Sequence, residues 1–337
     1  MSDSDKKPDR QNEVPELPGR ILDTYARLWQ LETWLRRLVY IELRASDGDN
    51  WASKIRGAER SRDADKRLIH MPTSEDDPLS YAQFSELCRV ISDEWPLFEP
   101  FLPPKTIWEA KLEEVAQARH RVAHFRIGHR DDLQRVLQLL RDMDQGFWCF
   151  CTSYNHPHPV IPPSDDPVVE HFFHLDPFPW GSAGDGKWAR YGMADPNARF
   201  GLTIEILCRP WAPPWSTPIA GNKGLIYDVT VSARQDRRFD YRRFLKITSD
   251  LHKHLIHICL GGRLAKDIRI TIPAFLGSQK LIEIIQKIAD ASLYSLDSSS
   301  SWESDERLAD QWPEYVLGPE NPLSFLTRDM PCSFFGV

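Results

Sequence analysis

The apolar residues of this chain change their period partway along it. Up to about residue 154 they recur at three- and four-residue steps, and from Phe200 onward they alternate. One chain with two periods must bury stripes of helix in one part and a face of sheet in the other. Ile21, Leu28, Leu31, Leu35, Leu38 and Ile41 or Leu43 make the first stripe, with Arg27, Glu32, Arg36, Arg37 and Glu42 on the remaining turns. Ser46-Asp47-Gly48-Asp49 ends that helix, and a charged segment from Lys54 to Lys66 follows. Pro78 to Glu94 reads as a second helix with Tyr81, Phe84, Leu87, Val90 and Ile91 inward. Pro96, Pro100, Pro103 and Pro104 then break the chain. A third helix starts at Lys105, its stripe being Trp108, Leu112, Val115, position 119 and Val122. A fourth runs from Asp131 to about Phe150.

Residues 17–154 are thus expected to form an all-α unit, after a polar, disordered stretch at 1–16. Residues 155–187, rich in Pro and aromatics, read as a linker that packs onto a surface. Four histidines lie there (His156, His158, His171, His174), without a carboxylate or thiol at recognisable ligand spacing. In residues 188–295, Phe200–Leu207 and Leu225–Val231 alternate like strands. Asp240 caps a helix to about Cys259, Ile268–Ile272 is a strand and Ser278–Leu293 a helix. This ββαβα order is a smaller α+β domain, so the chain is α+β overall. Residues 296–337, beginning with a Ser-rich run, read as a loosely ordered tail.

Net charge is −7, which argues against non-specific coating of nucleic acid but permits a local basic site. No apolar run reaches the ~18 residues of a membrane helix, and Met1–Glu16 has no apolar core of a secretory signal. The expectation is a cytosolic protein that does not enter a membrane. The six cysteines show no zinc or CxxC spacing, so no metal and no cofactor is expected.

The chemistry concentrates in Arg119-His120-Arg121-Val122-Ala123-His124. Arginine holds phosphate best, and histidine titrates near neutral pH. Positions five apart on a helix differ by about 140° in direction and about 7.5 Å in rise, so Arg119 and His124 do not share a face. Arg119 falls on the apolar stripe, where a half-buried guanidinium needs an acidic or backbone partner; Glu32 is the candidate. Glu113, Gln117, His120 and His124 occupy a second, polar face. Two copies meeting across a twofold axis would bring both residue types to one groove, and small Ala123 allows close approach. The alternatives are a purely structural arginine pair, a helix-terminal histidine, or an i,i+4 histidine pair on a metal. Arg121 is either a solvated helix arginine or a phosphate contact.

The six residues resemble the R-(N/D/H)-x-x-A-H motif of the HEPN superfamily. Leu28–Leu38 resembles the first helix of HEPN proteins from bacterial abortive-infection and toxin systems, and Tyr81–Leu87 with Trp95 and Phe98 resembles their middle helix. The resemblance covers about residues 20–153. It implies a helical bundle acting as a homodimer and a metal-independent endoribonuclease, in antiphage defence or as a toxin. In that scheme the RNA 2′-hydroxyl attacks the adjacent phosphate. His124 is the general acid or base, Arg119 stabilises the transition-state charge, and His120 stands where asparagine is more usual. A catalytically silent module that binds RNA or a protein partner is the alternative.

In the second domain, Arg234, Arg237, Arg238, Arg242 and Arg243 interleave with Phe239 and Tyr241. Of these, Arg237, Arg238 and Arg242 are the candidates for holding phosphate while aromatics stack bases; a solvated helix start is the plainer alternative. Trp211-Ala212-Pro213-Pro214-Trp215 reads as a rigid aromatic loop for protein contact. The domain as a whole is expected to bind a regulatory protein or ligand.

Overall fold

The computed structural model describes residues 19–337 apart from 71–74, 76, 156–158, 161–165, 186, 193–194, 196, 214–218, 262–263, 298–304 and 331–332. His156, His158, Pro214, Trp215, Cys332 and the N-terminal stretch lie outside the described residues. Helices come first: α1 (Gly19–Asp47), α2 (Ala58–Lys66), α3 (Phe84–Asp93), the single-turn α4 (Trp95–Phe98), α5 (Lys105–Ala123) and α6 (Asp132–Tyr154). The long α1 is the axis. Leu28, Leu31, Leu35, Leu38, Ile41 and Leu43 are all buried on it, and α3, α5 and α6 pack around them. Two glycines set its surroundings. Gly48 ends α1 with a φ of +55°, where a side chain would be strained. Gly146 on α6 lets the chain pass at Phe101, since a Cβ there would lie 1.9 Å from the Phe101 carbonyl oxygen.

The sheet follows, with strands β1 (Pro159–Val160), β4 (Phe200–Cys208), β5 (Leu225–Ala233), β7 (His257–Leu260), β8 (Asp267–Pro273) and β10 (Val316–Leu317) in the order β1-β4-β5-β8-β7-β10. All pairs are antiparallel except β7 with β10. The remaining elements are α7 (Pro167–Phe172), the hairpin β2 (Trp180–Gly184) with β3 (Lys187–Arg190), and β6 (Arg238–Phe239) paired with β9 (Leu296–Asp297). Helices α8 (Tyr241–Ile247), α9 (Ser278–Tyr294), α10 (Asp305–Gln311) and α11 (Pro322–Phe325) complete the chain.

Period-two alternation gives the sheet two distinct faces. Ile204, Tyr227, Val229, Ile258, Leu260, Ile268, Ile270 and Ile272 form one core with α7, α8 and α9. Leu207, Ile226, Cys259 and Leu317 join the core of the helical unit instead. The result is three layers: helical unit, sheet, helices.

The seam between helical unit and sheet is polar and buried. Glu42 on α1 accepts three hydrogen bonds from Arg209, just after β4, at 2.5, 3.0 and 3.2 Å, and one from Trp211 Nε1 at 2.7 Å. Neither Glu42 nor Arg209 has exposed side-chain surface. Arg269 on β8 pairs with Asp228 on β5 at 2.9 Å and donates to Asn155 and to the Tyr154 carbonyl. The Tyr154 hydroxyl lies 2.8 Å from His257 Nδ1 and 2.6 Å from Thr271 Oγ1. Arg44 donates to the Leu255 carbonyl at 2.8 Å.

Several expected elements differ. Pro78–Tyr81 is a separate 3₁₀ turn ahead of α3. The charged segment after α1 contains α2. The helix capped by Asp240 is present, the carboxylate accepting from Arg243 N at 3.0 Å, but it stops at Ile247. There the Thr248 hydroxyl bonds back to the Phe244 carbonyl at 2.9 Å, and residues 257–260 form a strand. The second part therefore has more strands than the ββαβα order: β7 joins the main sheet, and β3 and β6 form small two-stranded pairs outside it. Of the linker, α7 packs into the sheet core through Val168 and Phe172. It is capped by Asp166, which also accepts from the Tyr227 hydroxyl at 2.6 Å. The tail expected to be loose is packed where it is described. Leu308, Val316, Leu317, Leu323, Leu326 and Phe335 are buried, and Phe334 stacks edge-on against Trp34 at 4.6 Å. No helix among the described residues is long and apolar enough to cross a membrane.

Candidate functional site

Trp108, Leu112, Val115 and Ala118 bury α5 against α1 and α6. Ala118, not position 119, continues the fully buried row, so Arg119 stands at its edge with 38% of its side chain exposed. Its Nε lies 3.6 Å from Glu32 Oε2, the partner expected for it. That distance is an ion contact longer than a hydrogen bond. Glu32 is held more firmly from the other side, its Oε1 accepting from Arg36 Nη2 at 2.5 Å. Arg36 is in turn fixed to the carbonyls of Leu79 and Ala82, both at 3.0 Å. The chain Leu79/Ala82–Arg36–Glu32–Arg119 positions one arginine while leaving its guanidinium accessible.

His120 and His124 are both exposed. One helical turn separates them, and their rings meet edge to face at 4.4 Å. Among the described residues no third histidine, cysteine or carboxylate joins them in a group that could hold a metal. His124 is the last residue before the chain turns. Phe125 follows in the left-handed region at φ 55°, and two hydrogen bonds close the helix: Phe125 N to Val122 O and Arg126 N to Arg121 O, both 3.0 Å. Glycine usually fills that position, because a side chain there costs about 1–2 kcal/mol. Phe125 does so while 98% exposed, and Ile127 nearby is 76% exposed. Sequence patterning passed over both, since neither belongs to a stripe; the signal was two large apolar residues in an otherwise polar turn.

Arg121 is committed elsewhere. It grips Asp132, the buried first residue of α6, through Nε at 2.9 Å and a second, shorter bond, and Asp132 also accepts from His129 N at 2.7 Å. The bond to Arg121 and the backbone donor hold the Asp132 carboxyl below its usual range against the opposing effect of burial. Arg121 therefore closes the α5–α6 turn and does not face the histidines as an open phosphate contact.

The second arginine group is not part of this site. Arg237 is half-buried beside β6, Arg238 lies on β6, and Arg242 is exposed on α8. Helix α8 packs with α9 on the sheet face opposite the helical unit. Trp211 is half-buried, its Nε1 donating to Glu42. His254 lies on a 3₁₀ turn with its Nδ1 2.5 Å from Asp49 Oδ2. Compared with family models, curated proteins and solved structures, the chain matches none of them.

Proposed function

We propose that the end of α5 is the active site of a metal-independent endoribonuclease of the HEPN type. The observation that carries this reading is the grouping of Arg119, His120 and His124: one arginine anchored through Glu32 with its head accessible, beside two touching, exposed imidazoles. A phosphodiester would rest on Arg119. One imidazole would take the proton of the 2′-hydroxyl as it attacks phosphorus, and an imidazolium would protonate the departing 5′-oxygen. Arg119 would then stabilise the added charge on the phosphorane oxygens.

One copy offers this group on an exposed helix end. The proposal therefore includes a homodimer that encloses it. Exposed apolar residues support that part: Phe125 and Ile127 after α5, and Leu22, Tyr25 and Trp29 along one side of α1 before Glu32. These exposed apolar residues also favour a second reading, a catalytically silent module that docks a protein. Incubating the protein with RNA in excess EDTA separates the two. The enzyme leaves 2′,3′-cyclic phosphate ends, and Arg119→Ala and His124→Ala both abolish them. Cleavage by either variant at the wild-type rate refutes the assignment. If Phe125→Glu with Ile127→Glu leaves self-association unchanged, the dimer surface lies elsewhere.

A further inference from the structure

A cavity of about 350 Å³ opens where α1, the turn at residues 77–79 and the C-terminal arm at residues 309–321 meet. The arm closes it because β10 pairs in parallel with β7, Val316 opposite Ile258. Segments far apart in sequence thus complete one wall. The volume suits a small organic molecule.

Two arginines of α1 line this cavity, and they differ. Arg36 spends its donors on Glu32 and on the Leu79 and Ala82 carbonyls. Arg37, the next residue, lies 4.5 Å above the Trp34 ring and has no hydrogen bond or ion pair among the described residues. It is partly withdrawn from water, and that burial lowers its pKa, with only the Cys151 thiol acting against the shift. A guanidinium carries five N–H donors in a planar fork that matches carboxylate and phosphate oxygens. Partly withdrawn from solvent and without an acceptor among the described residues, it is half of an anion site.

The rest of the wall defines what the anion is attached to. Tyr40 and Trp51 stack edge to face at 5.1 Å, and the Tyr40 hydroxyl is already spent on the Ile256 carbonyl at 3.0 Å. What they offer the cavity is rigid aromatic surface. Three carboxyls also line it, Asp77, Asp310 and Glu314; that of Asp77 is pushed up to about 6, first by burial and further by Glu314, which weakens its own repulsion of an anion in mildly acidic solution.

We propose that this cavity binds a small organic anion, with its carboxylate or phosphate on Arg37 and its apolar body against Tyr40 and Trp51. The site is separate from the histidines of α5 and does not depend on the ribonuclease reading.

Calorimetric titration of the full chain with phenyl phosphate, benzoate, inorganic phosphate and benzyl alcohol tests it. At least one aryl anion should bind at one site per chain, at least tenfold tighter than benzyl alcohol. The stronger of phenyl phosphate and benzoate identifies the anionic group. Arg37→Gln should weaken that binding at least tenfold. Gly318→Leu is the independent variant: it keeps Arg37 but places a side chain in the cavity. A Cβ at Gly318 has only the Ala309 Cβ within 4 Å, at 3.8 Å, so the fold should tolerate it. Thermal melts of both variants confirm folding. No binding by either aryl anion overturns the proposal. So does equal binding of benzyl alcohol, or undiminished binding by both folded variants.

Discussion

Arginine, histidine and glutamate meet twice in this molecule, in opposite settings. At the seam between helices and sheet, His257 is 4% exposed, with the Tyr154 hydroxyl on its Nδ1. There Arg209 and Glu42 are enclosed completely, and Arg269 is committed to Asp228, Asn155 and Tyr154. At the end of α5, His120 and His124 meet ring to ring in an exposed position, and Arg119 reaches Glu32 at a loose 3.6 Å. The comparison teaches that residue type does not mark a site. Water access and unspent hydrogen-bonding capacity do, and by that measure the seam is architecture and the end of α5 is available for chemistry.

The comparison can be broken first at the seam. Glu42→Ala strands Arg209 without water or a counter-charge and should cost about 3–5 kcal/mol, read as a lower urea midpoint. Replacing both partners, Glu42→Leu with Arg209→Met, should cost less than Glu42→Ala alone. If Glu42→Ala is as stable as the parent, the seam does not hold the layers together.

A pH series sharpens the contrast next. Burial pushes His257 down to about 3, helped by Arg37, Arg269 and Arg44, and burial pushes His252 down to about 4. Unfolded, both titrate near about 6.5. Below that pH the unfolded chain takes up protons that the folded chain refuses, so stability present above pH ~6.5 is lost as pH falls toward the folded values. Asp77 works the other way. Its raised pKa of about 6 stabilises the fold below its unfolded value of about 4, and that contribution is lost as pH rises through 6. The urea midpoint should therefore fall from pH 7 to pH 5, less steeply in His257→Gln and more steeply in Asp77→Asn. A flat profile in the parent would contradict the burial of these histidines.

A smaller effect lies between the two settings. Arg121→Ala leaves the buried Asp132 carboxylate with the His129 backbone donor only, and should cost about 1–2 kcal/mol. Weaker RNA binding at unchanged stability would instead return Arg121 to the phosphate contacts.

Much of this was legible in the chain, for physical reasons that also explain the rest. Leu28 through Leu43 reported α1 because one stripe meets one core. Phe200–Leu207, Leu225–Val231 and Ile268–Ile272 reported strands because each face alternates. The Arg119–Glu32 contact followed from a charge placed on an apolar stripe, although Ala118 and not Arg119 continues the buried row. By contrast, Phe244, Ile247, Leu251, Leu255 and Ile258 also fit a helical period, yet Ile247 is 42% exposed and the row spans a helix, a 3₁₀ turn and a strand. Period alone could not show that Thr248 ends the helix or that His257 needs Tyr154. The arm that carries Val316, Leu323 and Phe335 has apolar residues too widely spaced for any period. Its packing depends on partners such as Trp34, Phe147 and Asn155, all far away in sequence.

The central claim is that the α5 histidines do chemistry while the seam histidine does structure. Cleavage rate per folded molecule, measured in EDTA for His124→Ala beside His257→Gln, tests it directly. The account predicts that His124→Ala keeps the parental urea midpoint and loses about 10²–10⁴-fold in rate, while His257→Gln loses stability and keeps the rate. A His124→Ala protein that cleaves like the parent, or a folded His257→Gln protein that loses as much activity, would contradict it.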